Sequence, residues 1–311
     1  MDWSSADVPE QSGRVAIVTG ASAGLGLATA TVLAARGARV VLACRDVAKG
    51  ERVGDRIRTE NERAELHIVR LDLASLASVR EAAAELRSAH PRIDLLINNA
   101  GVMAVPRERT EDGFERTLAT NHFGHFALTG LLLDRLLATA GSRIVTVSSN
   151  AHRRGVIRLD DLQSERAYDP DDAYAQSKLA NLLFTYELNA RLEAAAAGTI
   201  ALAAHPGNVR TDLWRTSSRL ERVLIGARLG KLTSWLAQDA ETGALPTLRA
   251  AVDPSARGGD YFGPAGRFGY TGHPIRVEPS PGARDEEARR QLWDASERLT
   301  GVSYRIETTA A

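Results

Sequence analysis

Six short apolar runs, each separated from the next by a stretch of helical pattern, occupy the first two thirds of the chain. The runs are "RVAIVTG" (14–20), "ARVVLAC" (38–44), "AELHIVRLD" (64–72), "IDLLINNAG" (93–101), "SRIVTVSS" (142–149) and "GTIALAAHPG" (198–207). Helical patterns cover 26–37, 47–61, 75–90, about 112–138, and 173–196. A strand that is apolar throughout, with no polar alternation, is buried on both faces. Helices between successive strands make the connections crossovers, and such crossovers are right-handed. The predicted architecture is therefore α/β: a doubly wound parallel sheet in one domain.

After Val209 this rhythm weakens. Residues 211–250 read as one or two amphipathic helices carrying Leu213, Trp214, Leu220, Val223, Leu224, Ile225, Leu232, Trp235 and Leu236. So much apolar surface suggests a helical substrate lid over an apolar pocket, with core packing or a subunit contact as the alternative. Residues 253–284 are rich in glycine and proline around a last short strand, "DYFG", and 285–300 reads as a terminal helix with Leu292, Trp293 and Leu299 inward. The expected plan is a tail at 1–12, a dinucleotide-binding and catalytic core at 13–210, the lid at 211–250, and the last strand and helix at 251–311.

Several classes lose support. Basic and acidic residues balance at 39 each, so nothing draws the chain to nucleic acid or to an anionic membrane. Cys44 is the one cysteine, so no internal disulfide forms and a cytoplasmic location is expected. The first dozen residues lack the basic start and apolar run of a signal peptide. No apolar stretch reaches the roughly 18 residues a membrane span needs. The longest, "FALTGLLLDRLLATA", is broken by Asp134 and Arg135. No Cys/His/Asp set has metal-ligand spacing, and no metal is expected.

Ligands of such sheets bind beyond the carboxyl ends of the strands. The first strand runs into "TGASAGLG" (19–26). Its glycines let backbone amides close on an anion, and the helix N-terminus adds favourable potential for a diphosphate. A plain strand-to-helix turn is the alternative for this motif taken alone.

That Gly-x-x-x-Gly-x-Gly spacing, "NNAG" (98–101), Asn121 in "ATNHFGHF", "RIVTVSS", the Tyr-x-x-x-Lys of 174–178 and "HPGNVRT" (205–211) follow one another over about residues 13–212. In that order they resemble the short-chain dehydrogenases/reductases, which have the Rossmann fold. The wording looks closest to the retinol-dehydrogenase-like, NADP(H)-preferring branch. The resemblance implies an NAD(P)-dependent oxidoreductase acting on an alcohol, aldehyde or ketone. It implies that Gly20, Ser22, Ala23, Gly24, Leu25 and Gly26 hold the diphosphate, and that Asp72 and Leu73 contact adenine, although Asp72 also suits a plain turn. Asn99, Ala100 and Gly101 would line the cofactor, and Pro206, Gly207, Val209 and Thr211 would grip the nicotinamide amide. By the same register Cys44 stands where an acid would bind ribose hydroxyls, and Arg45 follows it. That favours NADP(H) over NAD(H), because a guanidinium pairs well with a 2′-phosphate. Asp46 is the rival, with a helix N-cap as its ordinary role, and Arg45 can also be read as a solvated surface charge. Members of the family often pair through the helices carrying Asn121 and Tyr174, so a homo-oligomer is compatible with the resemblance.

Tyr174, Lys178, Asn181 and Thr185 fall on one helical stripe beside an apolar stripe of Leu179, Leu182, Leu183 and Tyr186. A free phenol, with a pKa near 10, is a poor base at neutral pH. A nearby ammonium is expected to lower that pKa and make Tyr174 an acid/base. By resemblance Ser149 orients the substrate oxygen, with Ser148 the alternative. Lys178 would hold the nicotinamide ribose, and Asn121 a water linking Lys178 to solvent; read alone, Asn121 is a helix kink or a satisfied polar group. The 150–171 insertion suits either a substrate entrance or a polar surface loop. His152 is read as structural, and His122, His125 and His205 are not convincing ligands. The alternative function is a non-catalytic NADP(H)-binding redox sensor. A sugar-nucleotide epimerase is disfavoured by the glycine spacing and by the lack of a larger C-terminal domain.

Overall fold

The computed structural model describes residues 2–209 and 237–306. The apolar runs become strands, each shorter than its run: β1 (Val15–Thr19), β2 (Arg39–Cys44), β3 (Leu66–Arg70), β4 (Leu95–Asn98), β5 (Arg143–Val147) and β6 (Ile200–Ala204). β7 (Tyr261–Pro264) covers the expected "DYFG" strand, and β8 (Pro274–Arg276) follows it. The sheet order is β3-β2-β1-β4-β5-β6-β7-β8. Pairing is parallel throughout except for β8, which runs antiparallel to β7. β8 has three residues and begins with proline, which suits an edge strand and leaves little apolar signal to read in advance.

Strand residues alternate between two cores because successive side chains point to opposite faces. Ile17, Val41, Leu96 and Ile144 pack with α3 (Leu76–Ala89), α5 (Gly124–Leu137) and α6 (Pro170–Ala194). Val18, Leu42, Ile97 and Val145 pack on the other face, with α1 (Gly24–Ala35) and a later helix. α2 (Val47–Glu60) lies beside β2 and β3. The strand order reverses between β1 and β4, and the crevice at that switch point is where ligands of doubly wound sheets bind.

Three sequence expectations need correction. The helix expected at 112–138 starts only at α4 (Arg116–Leu118) and passes through a π-helical turn at Ala119–Phe123 before α5. Glu115 sets its start by accepting hydrogen bonds from the Thr117 and Leu118 amides. The helix expected from 173 begins at Pro170, because Asp169 caps the Asp171 and Asp172 amides and proline suits the first helical position. Tyr174 therefore stands past the first turn. The C-terminal part of the expected lid is a core helix, α7 (Ala240–Val252), whose Ala244, Leu248 and Ala251 are buried in the sheet–α1 layer. The rest of that expectation, Leu213 through Leu236, lies outside the described residues. The terminal helix α8 (Glu286–Thr300) packs on α6 with Leu292 and Trp293 buried. Among the described residues no helix is long and apolar enough to cross a membrane.

Candidate active site

β1 delivers Thr19 to a turn in which Gly20 and Gly24 take positive φ (69° and 53°). α1 then starts with Ala23 at its N-cap and no side chain on its first amides, so those N–H groups face the crevice. A Cβ on Gly26 would lie 2.5 Å from the Gly20 carbonyl oxygen and 2.5 Å from Asn99 Nδ2, so only glycine lets the turn fold this tightly. The turn opens on a cavity of about 430 Å³. Gly20, Ser22 and Ala23 line it from the turn, and Gly24, Leu25 and Gly26 from the start of α1. Arg45 follows β2, Asp72 and Leu73 follow β3, and Asn99, Ala100 and Gly101 follow β4. An anion-sized cradle of free amides with two cations beyond it fits the diphosphate and adenosine of a dinucleotide.

The second cation is Lys49, which the sequence reading missed; its signal was a lone base in the first turn of α2. Asp46 spends its carboxylate on the Lys49 amide at 2.9 Å, as an N-cap. Asp72 lines the cavity and accepts from the Ala74 amide at 3.0 Å, as the turn reading expects.

A second cavity of about 320 Å³ shares Leu25, Asn99 and Gly101 with the first. Tyr174, Ser149 and Lys178 meet there, and Pro206, Gly207 and Val209 also line the cavity. Gly207 has φ 72°, and a Cβ on it would sit 2.3 Å from the Tyr270 carbonyl oxygen. Thr211 lies outside the described residues. The polar stripe of α6 faces the end of β5. Lys178 Nζ and Asn181 Nδ2 both donate to the Val147 carbonyl at 3.1 Å. The Ser148 hydroxyl donates to the Lys178 carbonyl at 2.8 Å, whereas Ser149 caps the turn Asn150–Arg154 by accepting from the Ala151 amide at 3.2 Å.

The electrostatics differ from expectation at one point. Burial raises the Tyr174 pKa, against an opposite pull from the Ser149 hydroxyl and the charge of Arg154. The expected lowering by Lys178 is not what this geometry produces. Its ammonium is 5.6 Å from the ring centroid, is engaged by the Val147 carbonyl, and is itself pushed down to about 8 by burial. Desolvation of the charged form outweighs attraction at this range.

Asn121 sits in the π-helical turn with both carboxamide N–H groups used. Its Oδ1 accepts from the Val102 amide at 2.8 Å, and its Nδ2 donates to the Val102 carbonyl at 3.0 Å and to Ser177 Oγ at 2.9 Å. A Cβ on Gly101 would lie 3.2 Å from Asn121 Oδ1 and 3.5 Å from Lys178 Nζ, so β4, the π turn and α6 converge at that residue.

A family model described as short chain dehydrogenase matches residues 14–221. The chain belongs to the short-chain dehydrogenase family. It is an oxidoreductase of the class that acts on CH–OH groups. It is 43% identical over 302 residues to human retinol dehydrogenase 13, covering 96% of this chain and 87% of that one. It is 43% identical over 300 residues to mouse polyprenol dehydrogenase, covering 95% and 86%. An uncharacterized protein from Mycobacterium paratuberculosis superposes with a TM-score of 0.80 at 42% identity, covering 98% of this chain and all (100%) of that one. A structure described as an NAD(P)-dependent gluconate 5-dehydrogenase from Beutenbergia cavernae, with bound NADP, gives a TM-score of 0.62 at 26% identity, covering 81% and 95%.

The histidines of this short-chain dehydrogenase are structural clamps. His125 Nδ1 is 3.0 Å from the Asn121 carbonyl, which can only accept, so Nδ1 carries the proton and Nε2 accepts from Thr19 Oγ1 at 2.9 Å. The same Thr19 oxygen accepts from the Asn99 and Ala100 amides at 2.9 and 3.0 Å. His152 donates from Nδ1 to the Ser149 carbonyl at 2.6 Å and accepts at Nε2 from the Ser280 amide at 3.1 Å, tying the Ser149 backbone to the C-terminal segment. His122 bonds Ser296 at 2.9 Å. His205 accepts from the Gly207 amide at 3.3 Å. Among the described residues no three His, Cys, Asp or Glu side chains gather as a metal site would require. The insertion divides in two: Asn150, Ala151 and Arg154 line the catalytic cavity, while Val156 and Leu159 are exposed at the surface.

Proposed function

We propose that the chain is an NADP(H)-dependent reductase/dehydrogenase with Tyr174 as its acid/base. The observation that carries this reading is the convergence of Tyr174, Ser149 and Lys178 on one cavity that continues into the glycine-turn cavity. A bound nicotinamide dinucleotide supplies the hydride carrier. In the reductive direction the substrate carbon gains hydride, Tyr174 gives its phenolic proton to the substrate oxygen, and the product is the alcohol. The half-buried phenol carries its proton at neutral pH; its raised pKa opposes donation, and the Ser149 hydroxyl and the charge of Arg154 pull the other way. Ser149 donates a hydrogen bond to the same oxygen and orients it. Lys178 would hold the ribose hydroxyls of the cofactor, and the Ser149 hydroxyl and the charge of Arg154 favour the phenolate that remains after transfer. Both carboxamide N–H groups of Asn121 are used, so it fixes Val102 and Gly101 beside Lys178, and its Oδ1 keeps a second acceptor site for the expected relay water.

NADP(H) preference is supported by Arg45 and Lys49 at the adenosine end, with Asp46 committed to its helix. A substrate with an apolar body is supported by Leu25, Met103, Val147, Ala151 and Val209 in the catalytic cavity, and by the lipophilic alcohols named in the relatives. The test is Tyr174→Phe. NADPH binding, followed by fluorescence, stays near the wild-type value, while NADPH consumption with an aldehyde panel falls by roughly a hundredfold or more. Unchanged turnover overturns the assignment.

A further inference from the structure

The described lining of the catalytic cavity carries charge of one sign. Among the described residues that line it, Lys178 and Arg154 are charged, both positive, and no carboxylate lines it. Lys178 is buried at the bottom and held by the Val147 carbonyl. Arg154 stands at the mouth, on the turn that begins at Ser149, with its side chain 58% exposed. Its ion-pair partner, Asp171, is 3.5 Å away, 68% exposed, and does not line the cavity. Such a solvated pair is weak and exchanges readily for a better ligand. A guanidinium offers two parallel N–H groups that match a carboxylate or phosphate. The charge of Arg154 also reaches the Tyr174 phenol, so the guanidinium lies within electrostatic range of the reacting oxygen.

We infer that the substrate carries an oxyanion group, a carboxylate or a phosphate, which pairs with Arg154 while its carbonyl or hydroxyl oxygen meets Tyr174 and Ser149. This rests on the hydride-transfer reading above and narrows it to a molecule with a reacting carbon, an apolar body and an acidic end. A neutral lipophilic alcohol would leave Arg154 without a role in binding.

The experiment compares three aldehydes with NADPH: 4-methylbenzaldehyde, 4-carboxybenzaldehyde and 4-formylphenyl phosphate. The wild-type protein should show kcat/KM roughly fivefold to tenfold higher for at least one anionic aldehyde, chiefly through KM. That ratio should shrink as salt is raised. The anion that is preferred identifies the group as carboxylate or phosphate. Arg154→Gln should bring the ratio to about one by losing kcat/KM on the anionic aldehyde, and Arg154→Lys should retain part of it. In calorimetry on NADP-saturated protein, benzoate or phenyl phosphate should bind more tightly than benzamide to wild type but not to Arg154→Gln. A wild-type ratio of one or below, or an equal fall on all three aldehydes in Arg154→Gln, overturns the inference. If the neutral aldehyde is still turned over, and Tyr174→Phe abolishes that turnover, the hydride-transfer reading survives the loss. No turnover of any of the three overturns both.

Discussion

Thr19→Val removes one oxygen from the junction that joins the two cavities. Thr19 is fully buried, and its Oγ1 meets the Asn99 amide, the Ala100 amide and His125 Nε2. Valine keeps the branched shape, so the loss is one of hydrogen bonding with little change of volume. The Asn99 amide retains the Ile97 carbonyl at 3.0 Å and is not orphaned. The Ala100 amide and the His125 ring nitrogen lose their partner. A buried polar group left unsatisfied costs about 1–3 kcal/mol, so the pair costs roughly 2–6 kcal/mol. For a chain of this size, about 2–3 °C of Tm is lost per kcal/mol, giving a drop of roughly 4–18 °C in a circular-dichroism melt. Asn99 and Ala100 line the cofactor cavity, so NADPH should also bind roughly threefold more weakly, the equivalent of about 0.6 kcal/mol. Thr19→Ser keeps the hydroxyl and loses a methyl group, costing about 1 kcal/mol. A Thr19→Val melt within about 2 °C of wild type, on the same scale, refutes the reasoning. So does a Thr19→Ser protein as unstable as Thr19→Val.

Burial holds His122, His125 and His205 at about 3, 4 and 3, below the ordinary 6.5. The unfolded chain therefore binds these protons first: stability is full above about pH 6.5 and falls as pH drops toward about 4, by up to ~1.4 kcal/mol per pH unit for each ring. Urea midpoints between about pH 7 and 5 should fall accordingly, and a flat profile would show that the rings protonate in place. Arg45→Asp should raise the NADH/NADPH ratio of kcat/KM by about tenfold or more through loss on the phosphate-bearing cofactor; an unchanged ratio would put the 2′-phosphate elsewhere. Gly26→Ala should abolish detectable cofactor binding and lower Tm, because its Cβ meets two atoms at 2.5 Å; normal NADPH affinity would mean that the turn yields.

The catalytic stripe shows where reading the sequence stops. The four-residue spacing puts Tyr174 and Lys178 on one side of a helix whatever surrounds them. Whether the phenol is made more or less acidic depends on the Val147 carbonyl, the depth of burial and the exposed Arg154, none of them adjacent in the chain. The same limit applies to Asn121. Its motif is legible, but the π turn and the use of its carboxamide depend on Val102 and Ser177, the latter 56 positions away.

What the sequence determined by itself is what local pattern can encode. The apolar runs set the strands and their parallel order, the glycine spacing set the anion turn, and Asp169–Pro170 set a helix start that a purely periodic reading placed too late. What only the tertiary structure decided is what needs distant partners. It placed α7 in the core and out of the lid, made clamps of His125 and His152, and brought Lys49 and Arg154 to the two cavities. Backbone conformation and periodicity are properties of neighbours along the chain. Burial, and with it the cost of a charge or an unpaired hydrogen-bonding group, is set by residues tens to more than a hundred positions apart.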